Sequence, residues 1–218
     1  MKDSEKRKNS LLLRAGPKGI QRAVQIILDG GVIAFPTETF YGLGADALNV
    51  QALEKIFQIK GREENKPLLL LVADRTWVPR LVRTIPPAAE RLMENFWPGP
   101  LTLVFEAASG LPAVLTAGTG KIGLRISSHP VAQVLIQTVG RAITATSANL
   151  SGQPSASFSA EVRETLGREL DAILDGGKTN GGLGSTVLDV SSNPPRMIRP
   201  GAVSLASLAP FLSRVNPA

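Results

Sequence analysis

With 218 residues, 43% of them hydrophobic, the chain can bury a sizeable core as one large domain or two small ones. It has no cysteine, which excludes disulfides, thiolate catalysis and cysteine-bound zinc and fits a reducing, cytoplasmic setting; no apolar run reaches the ~18 residues of a membrane span. Lys and Arg number 24 against 18 acids, but +2 of the +6 excess falls in the first eight residues, so the rest speaks to solubility and to non-specific attraction for nucleic acid or polyphosphate.

Residues 1–13 read as a mobile basic tail without the apolar region of an export signal. Ile20, Ala23, Val24, Ile27 and Leu28 then recur at helical spacing and stop at Gly30-Gly31. Val32 to Phe35 is a short buried-type strand closed by Pro36. Asn49 suits the N-cap of a helix carrying Leu53, Ile56 and Phe57, which Gly61 breaks. Leu68 to Val72 is a second apolar strand, Pro86-Pro87 opens a helix ending near Asn95, and Phe96-Trp97-Pro98-Gly99-Pro100 turns into a strand from Leu101 to Phe105. In the strand from Ile122 to Ile126, the apolar residues Ile122, Leu124 and Ile126 share one face, which turns Gly123 and Arg125 to the other. A helix from Val131 to about Val139 and a strand from Ala142 to Ala145 follow. A Ser/Gly/Pro loop through Phe158, a helix near Ala160 to Leu166 and strands at Ala172 to Leu174, Thr186 to Val190 and Met197 to Arg199 complete the pattern.

Interleaved strands and helices with some hairpin-like pairs predict an α/β fold: a single domain over residues 14–218, on a mixed twisted open sheet with flanking helices. In open α/β sheets the connections at strand ends commonly meet at one ligand crevice. Here the connections after Phe35, Ala145 and Leu174 carry most of the glycines and hydroxyls.

Four polar segments stand out: Pro36-Thr37-Glu38-Thr39-Phe40-Tyr41-Gly42, Lys60-Gly61-Arg62, Ser147-Ala148-Asn149 and Gly184-Ser185-Thr186. Each has an ordinary reading. The first is a strand-ending turn whose hydroxyls cap backbone; Lys60, Arg62 and Lys66 are a solvated helix terminus complementing the dipole; Ser and Asn are common loop formers. His129, before Pro130, reads as a helix N-terminal residue. The functional alternative is an anionic, hydroxyl-bearing ligand held by position and charge, because three cations suit a polyphosphate and arginine grips carboxylate or phosphate in a fork. No Walker-type phosphate loop occurs, since Gly181-Gly182-Leu183-Gly184 lacks the lysine.

The ordered set is more specific than its parts: Pro36-Thr-Glu-Thr-x-Tyr-Gly-Leu-Gly44, Ile59-Lys-Gly-Arg62 with Lys66-Pro67-Leu68, Trp97-Pro-Gly-Pro-Leu-Thr102, Gly123-Leu-Arg125, Ser147-Ala-Asn-Leu-Ser-Gly152, Ser185-Thr-Val187 and Arg199-Pro-Gly201. From about Ile20 to Val203 the chain resembles the YrdC-type threonylcarbamoyl-AMP synthases. The resemblance implies a fold built around a large cavity, and a reaction of ATP, L-threonine and bicarbonate that gives threonylcarbamoyl-AMP and pyrophosphate, with Mg²⁺ accompanying ATP; no residue is assigned to a metal. It implies cytoplasmic work with tRNA-modification partner proteins and allows a weak contact with tRNA itself.

Carried over by position, the resemblance assigns Thr39, Arg125 and Ser185 to threonine, and Arg62, Lys66, Ser147, Asn149, Ser155 and Arg199 to ATP, with Lys60 and Arg62 nearest the chemistry. This chain departs from some members at Leu71, where a histidine reaches threonine, at Lys121, where a threonine lies near ATP, and at Ser127, where proline is common. Two other readings are a non-catalytic RNA-binding module of the same fold and a related enzyme forming a carbamoyl-adenylate.

Overall fold

The computed structural model describes residues 10–61 and 67–212. Its elements, in chain order, are β1 (Leu11–Arg14), α1 (Pro17–Leu28), β2 (Ile33–Pro36), β3 (Tyr41–Gly44), α2 (Val50–Lys60), β4 (Leu69–Leu71), α3 (Pro87–Phe96), β5 (Leu101–Glu106), α4 (Ala113–Thr116), β6 (Lys121–Arg125), α5 (Pro130–Val139), β7 (Ile143–Thr144), β8 (Thr146–Ser147), α6 (Ser159–Leu166), β9 (Ala172–Asp175), β10 (Thr186–Asp189), β11 (Arg196–Arg199) and α7 (Leu205–Leu212). The strands divide between two mixed sheets, one of five in the order β1-β9-β2-β3-β8 and one of six in the order β11-β10-β5-β6-β4-β7. This is the expected α/β architecture with mixed strands and flanking helices. None of the described helices is long and apolar enough to cross a membrane.

Local chemistry sets the helix ends. The Asn49 side chain accepts from the Ala52 N–H at 3.0 Å and caps α2, and Gly61 ends that helix at φ 54, a left-handed conformation that costs glycine little. Alternation sorts β2 between two cores. Val32 and Ala34 face the interior shared with the six-stranded sheet, while Ile33 and Phe35 pack with α1 and α5 through Ile27, Leu135 and Ile136. Burying one such side chain stabilises the fold by roughly 1.5–3 kcal/mol.

The structure moves three expected boundaries. The tail boundary drawn after residue 13 lies earlier, because Leu11 to Arg14 pairs in parallel with Ala172 to Asp175 and so satisfies backbone groups along the edge of β9. The first polar segment contains a strand: Tyr41 to Gly44 pairs antiparallel with Ile33 to Pro36. Gly44 is needed there because a Cβ would fall 2.8 Å from the Phe35 ring. Finally, the strand expected over Ala142 to Ala145 splits. β7 pairs with β4, and after Ala145 the chain crosses over so that β8 pairs with β3, which ties the two sheets together beside the polar segments.

Candidate active site

Residues of both sheets line one cavity of about 1220 Å³. Small-molecule pockets typically run to ~300–1,000 Å³, so two ligands fit here side by side. Lys121, Gly123 and Arg125 line it from β6, as the alternation of that strand requires, and Ser185, Val187 and Asp189 line it from β10 and the residue before it.

Lys60 closes α2 beside β8. It is 4% exposed, and its ammonium donates to the Ser147 carbonyl at 2.7 Å, the Asn149 carbonyl at 3.0 Å and Asn149 Oδ1 at 3.1 Å. Ser147 Oγ also donates to Asn149 Oδ1, at 2.6 Å, and Asn149 Nδ2 donates to the Gln153 carbonyl. The lysine is therefore a strut as well as a charge: it fixes the loop that carries Ser147 and Asn149 against the end of α2.

A second cluster gathers at the C-terminal end of β6. Thr37 Oγ1 donates to the Phe40 carbonyl at 2.7 Å, so its 3.1 Å contact with Thr39 takes the Thr39 proton and leaves the Thr39 lone pairs facing the cavity. Ser185 Oγ accepts from Thr102 Oγ1 at 2.9 Å and from Arg199 Nη2 at 3.1 Å, which leaves its own hydrogen to donate. Arg199 Nη2 also donates to the Ser185 carbonyl at 2.8 Å. Arg125 is 5% exposed and ion-paired at 3.1 Å with Glu38 Oε1, while Glu38 Oε2 accepts from Ser127 Oγ. Burial pushes the Arg125 pKa down, the Glu38 charge holds it up, and the charge of Arg199 pushes it down further. Arg199 is lowered by burial.

The structure thus brings Thr39, Lys60, Arg125, Ser147, Asn149, Ser155, Ser185 and Arg199 to one cavity. Arg62 and Lys66 lie outside the described residues. The expectation that Arg125 points away from the apolar contacts of its strand holds, but its carboxylate partner within the protein, Glu38, is new. Ser127, marked as a departure from the family pattern, supplies the hydroxyl that holds Glu38. Also unanticipated is the ion pair of Lys121 with Asp189 at 2.8 Å. Burial, the largest single influence on Asp189, raises its pKa, but hydrogen bonds from Lys121 and Ser191 and the lysine charge outweigh it and leave the carboxyl below its ordinary value. The alternation of β10 placed Asp189 on the face of Val187, a signal the sequence does carry. His129 caps α5, its Nδ1 accepting from the Val131 N–H at 3.2 Å.

Comparison with known proteins bears on the family and the fold. A family model named Sua5/YciO/YrdC and described as telomere recombination matches residues 25–201. The chain is 40% identical over 201 residues to the threonylcarbamoyl-AMP synthase of Pyrococcus abyssi, covering 91% of this chain and 59% of that protein. It is 37% identical over 195 residues to the putative threonylcarbamoyl-AMP synthase of Mycobacterium tuberculosis H37Rv, covering 89% of each. The crystal structure of P. abyssi Sua5 complexed with L-threonine superposes with a TM-score of 0.90 at 38% identity, over 94% of this chain and 61% of that one. Escherichia coli YciO gives 0.84 at 27% identity, over 92% and 99%. The chain spans less than two thirds of the length of the Pyrococcus relative.

Proposed function

The chain belongs to the Sua5/YciO/YrdC family, and from the site it builds we propose that it is an L-threonylcarbamoyladenylate synthase, a nucleotidyltransferase joining ATP, L-threonine and bicarbonate into threonylcarbamoyl-AMP and pyrophosphate. One observation carries this reading. Cations and hydroxyls from segments far apart in the chain line a single cavity large enough for a nucleotide beside a small amino acid, and a relative of 38% identity has been crystallised with L-threonine.

The roles are those the family resemblance implies, and the donor and acceptor inventory of the site is compatible with them. The threonine carboxylate takes the Arg125 guanidinium and the Ser185 hydrogen, and the Thr39 lone pairs accept from the amino group. The amine adds to bicarbonate as a carbamate, with loss of water, and a carbamate oxygen attacks the α-phosphorus of ATP in line with the departing pyrophosphate. Lys60, Ser147, Asn149, Ser155 and Arg199 take the nucleotide, together with Arg62 and Lys66, which the family resemblance assigns there. For Lys60 this means turning one N–H from an Asn149 oxygen to a phosphate oxygen while the others keep the loop in place.

Among the described residues, Asp189, which lines the cavity, and Glu38, which pairs with Arg125, are each held by a cation, which fits an Mg²⁺ that enters on the polyphosphate and keeps its waters. Bound there, it would neutralise charge on phosphoryl oxygens. The product would pass to partner proteins that complete the tRNA modification in the cytoplasm.

The test is direct. Purified protein is incubated with ATP, bicarbonate, Mg²⁺ and single amino acids, and pyrophosphate and the adenylate are measured. Pyrophosphate release that depends on threonine is expected; none above background with any amino acid overturns the proposal.

A further inference from the structure

The turn from Trp97 to Pro100 and the start of β5 fasten, from behind, the two segments that carry Arg125 and Ser185. The Gly99 N–H donates to the Ile126 carbonyl at 2.8 Å, one residue beyond Arg125, and the Thr186 N–H donates to the Pro100 carbonyl at 2.9 Å, one residue beyond Ser185. The turn is itself anchored, since the buried Trp97 indole donates to the Leu101 carbonyl at 2.6 Å. Thr102 then reaches the site through a side chain: it is fully buried, does not line the cavity, and donates from Oγ1 to Ser185 Oγ at 2.9 Å.

From this arrangement we infer that Thr102 is a positioning residue for amino-acid binding, which acts through the Ser185 hydroxyl. A serine hydroxyl has one hydrogen and two lone pairs. Thr102 Oγ1 and Arg199 Nη2, the latter at 3.1 Å, take both lone pairs of Ser185 Oγ. Its hydrogen is therefore committed, before any ligand enters, to an acceptor in the cavity that Ser185 lines. An ionised carboxylate accepts and cannot donate, so a preset donor suits it, and presetting removes the cost of ordering the hydroxyl on binding. Without the Thr102 hydroxyl, Ser185 can turn its hydrogen aside and the ligand must order it on arrival. Arg199 also donates to the Ser185 carbonyl at 2.8 Å, which holds it in place for the nucleotide whatever stands at Thr102. The inference rests on the amino-acid reading of the site.

The test is calorimetric titration of L-threonine, and separately of ATP with Mg²⁺, into wild type, Thr102→Val, Thr102→Ser, Ser185→Ala and the double variant Thr102→Val/Ser185→Ala. Thr102→Val keeps the shape without the hydroxyl; it is expected to weaken threonine binding about three- to tenfold and to leave ATP binding unchanged. Thr102→Ser, which restores a donor, is expected to recover most of the loss. In the Ser185→Ala background, Thr102→Val is expected to cost threonine nothing further, because a residue that acts through a hydroxyl has no effect once that hydroxyl is gone. Wild-type threonine affinity in Thr102→Val overturns the inference. So does an equal loss in both backgrounds, or an equal loss for ATP, either of which would make Thr102 a packing residue. If Thr102→Val does not fold, Thr102→Ala carries the same comparison. Absence of threonine binding in wild type would overturn the proposed function, and the inference with it.

Discussion

Lys60 and Asn149, 89 residues apart, are joined twice, the lysine ammonium donating to both the backbone and the side-chain oxygen of the asparagine. The motif that supplies a positive charge is therefore the one that holds the opposite loop in place. Replacing Lys60 by Met removes the charge and leaves several carbonyl acceptors buried without their donor, a loss of about 2–4 kcal/mol. Calorimetry should record the lower melting temperature, and threonine-dependent pyrophosphate release should fall by at least about a hundredfold. Lys60→Arg should recover stability better than activity, because a planar fork cannot reproduce three converging contacts. A Met variant with wild-type melting would remove the strut from the account.

Tyr41 ties the glycine-rich segment after β9 to β3. Its hydroxyl donates to the Gly177 carbonyl at 2.8 Å and accepts from the Gly176 N–H at 3.2 Å. Burial, with the Asp175 charge adding to it, pushes its pKa up to about 12, so the phenol stays protonated and able to donate. Tyr41→Phe should cost about 1–3 kcal/mol, and hydrogen exchange should speed up at Gly176 before it does so in β2. Unchanged protection at Gly176 would show that the segment is held by other contacts.

What was legible in the sequence was local. α2 announced both its caps at Asn49 and Gly61, and alternation alone turned Arg125 off the apolar face of β6. The elements that escaped depend on distant partners. β1 is three leucines and an arginine whose ladder lies on Ala172 to Asp175. β3 carries two glycines in four residues, a composition that reads as a turn until the Phe35 ring is seen to occupy the space a side chain would need. The site divides in the same way. Its cations and hydroxyls were visible as residue types, but that Lys60 would be held by Ser147 and Asn149, or Arg125 by Glu38, is fixed only when the sheets meet.

Asp189 should report on acid stability. Its folded pKa lies below the ordinary carboxylate value, so the stabilisation it provides is complete above about pH 4 and is lost as pH falls through the lowered value. Lys121, its ion-pair partner, is 37% exposed, and screening trims the contribution of the pair. Asp189→Asn should therefore cost about 1–2 kcal/mol at neutral pH, and the difference from wild type should shrink towards pH 3. Denaturant titrations across that range make the comparison; a gap that stays constant with pH would assign the loss to packing.

His129 offers a cleaner titration, because it is the one histidine in the chain. Burial lowers its pKa, with the Glu38 charge acting the other way, and the neutral ring is the form that can accept the Val131 N–H and cap α5. Above about pH 6.5 both folded and unfolded imidazoles are neutral and the cap contributes fully. As pH falls from there towards the lower folded value, the unfolded chain binds the proton first, and stability must decline by at most about 1.4 kcal/mol per pH unit. Once the folded ring is protonated too, the decline from this group stops. His129→Asn keeps a capping acceptor without the titration. Denaturation midpoints at pH 7.5, 6.5 and 5.5, on the order of one unit apart, should fall in wild type and fall less in the variant. Parallel curves would mean that the proton enters elsewhere and that the cap does not depend on the charge of the ring.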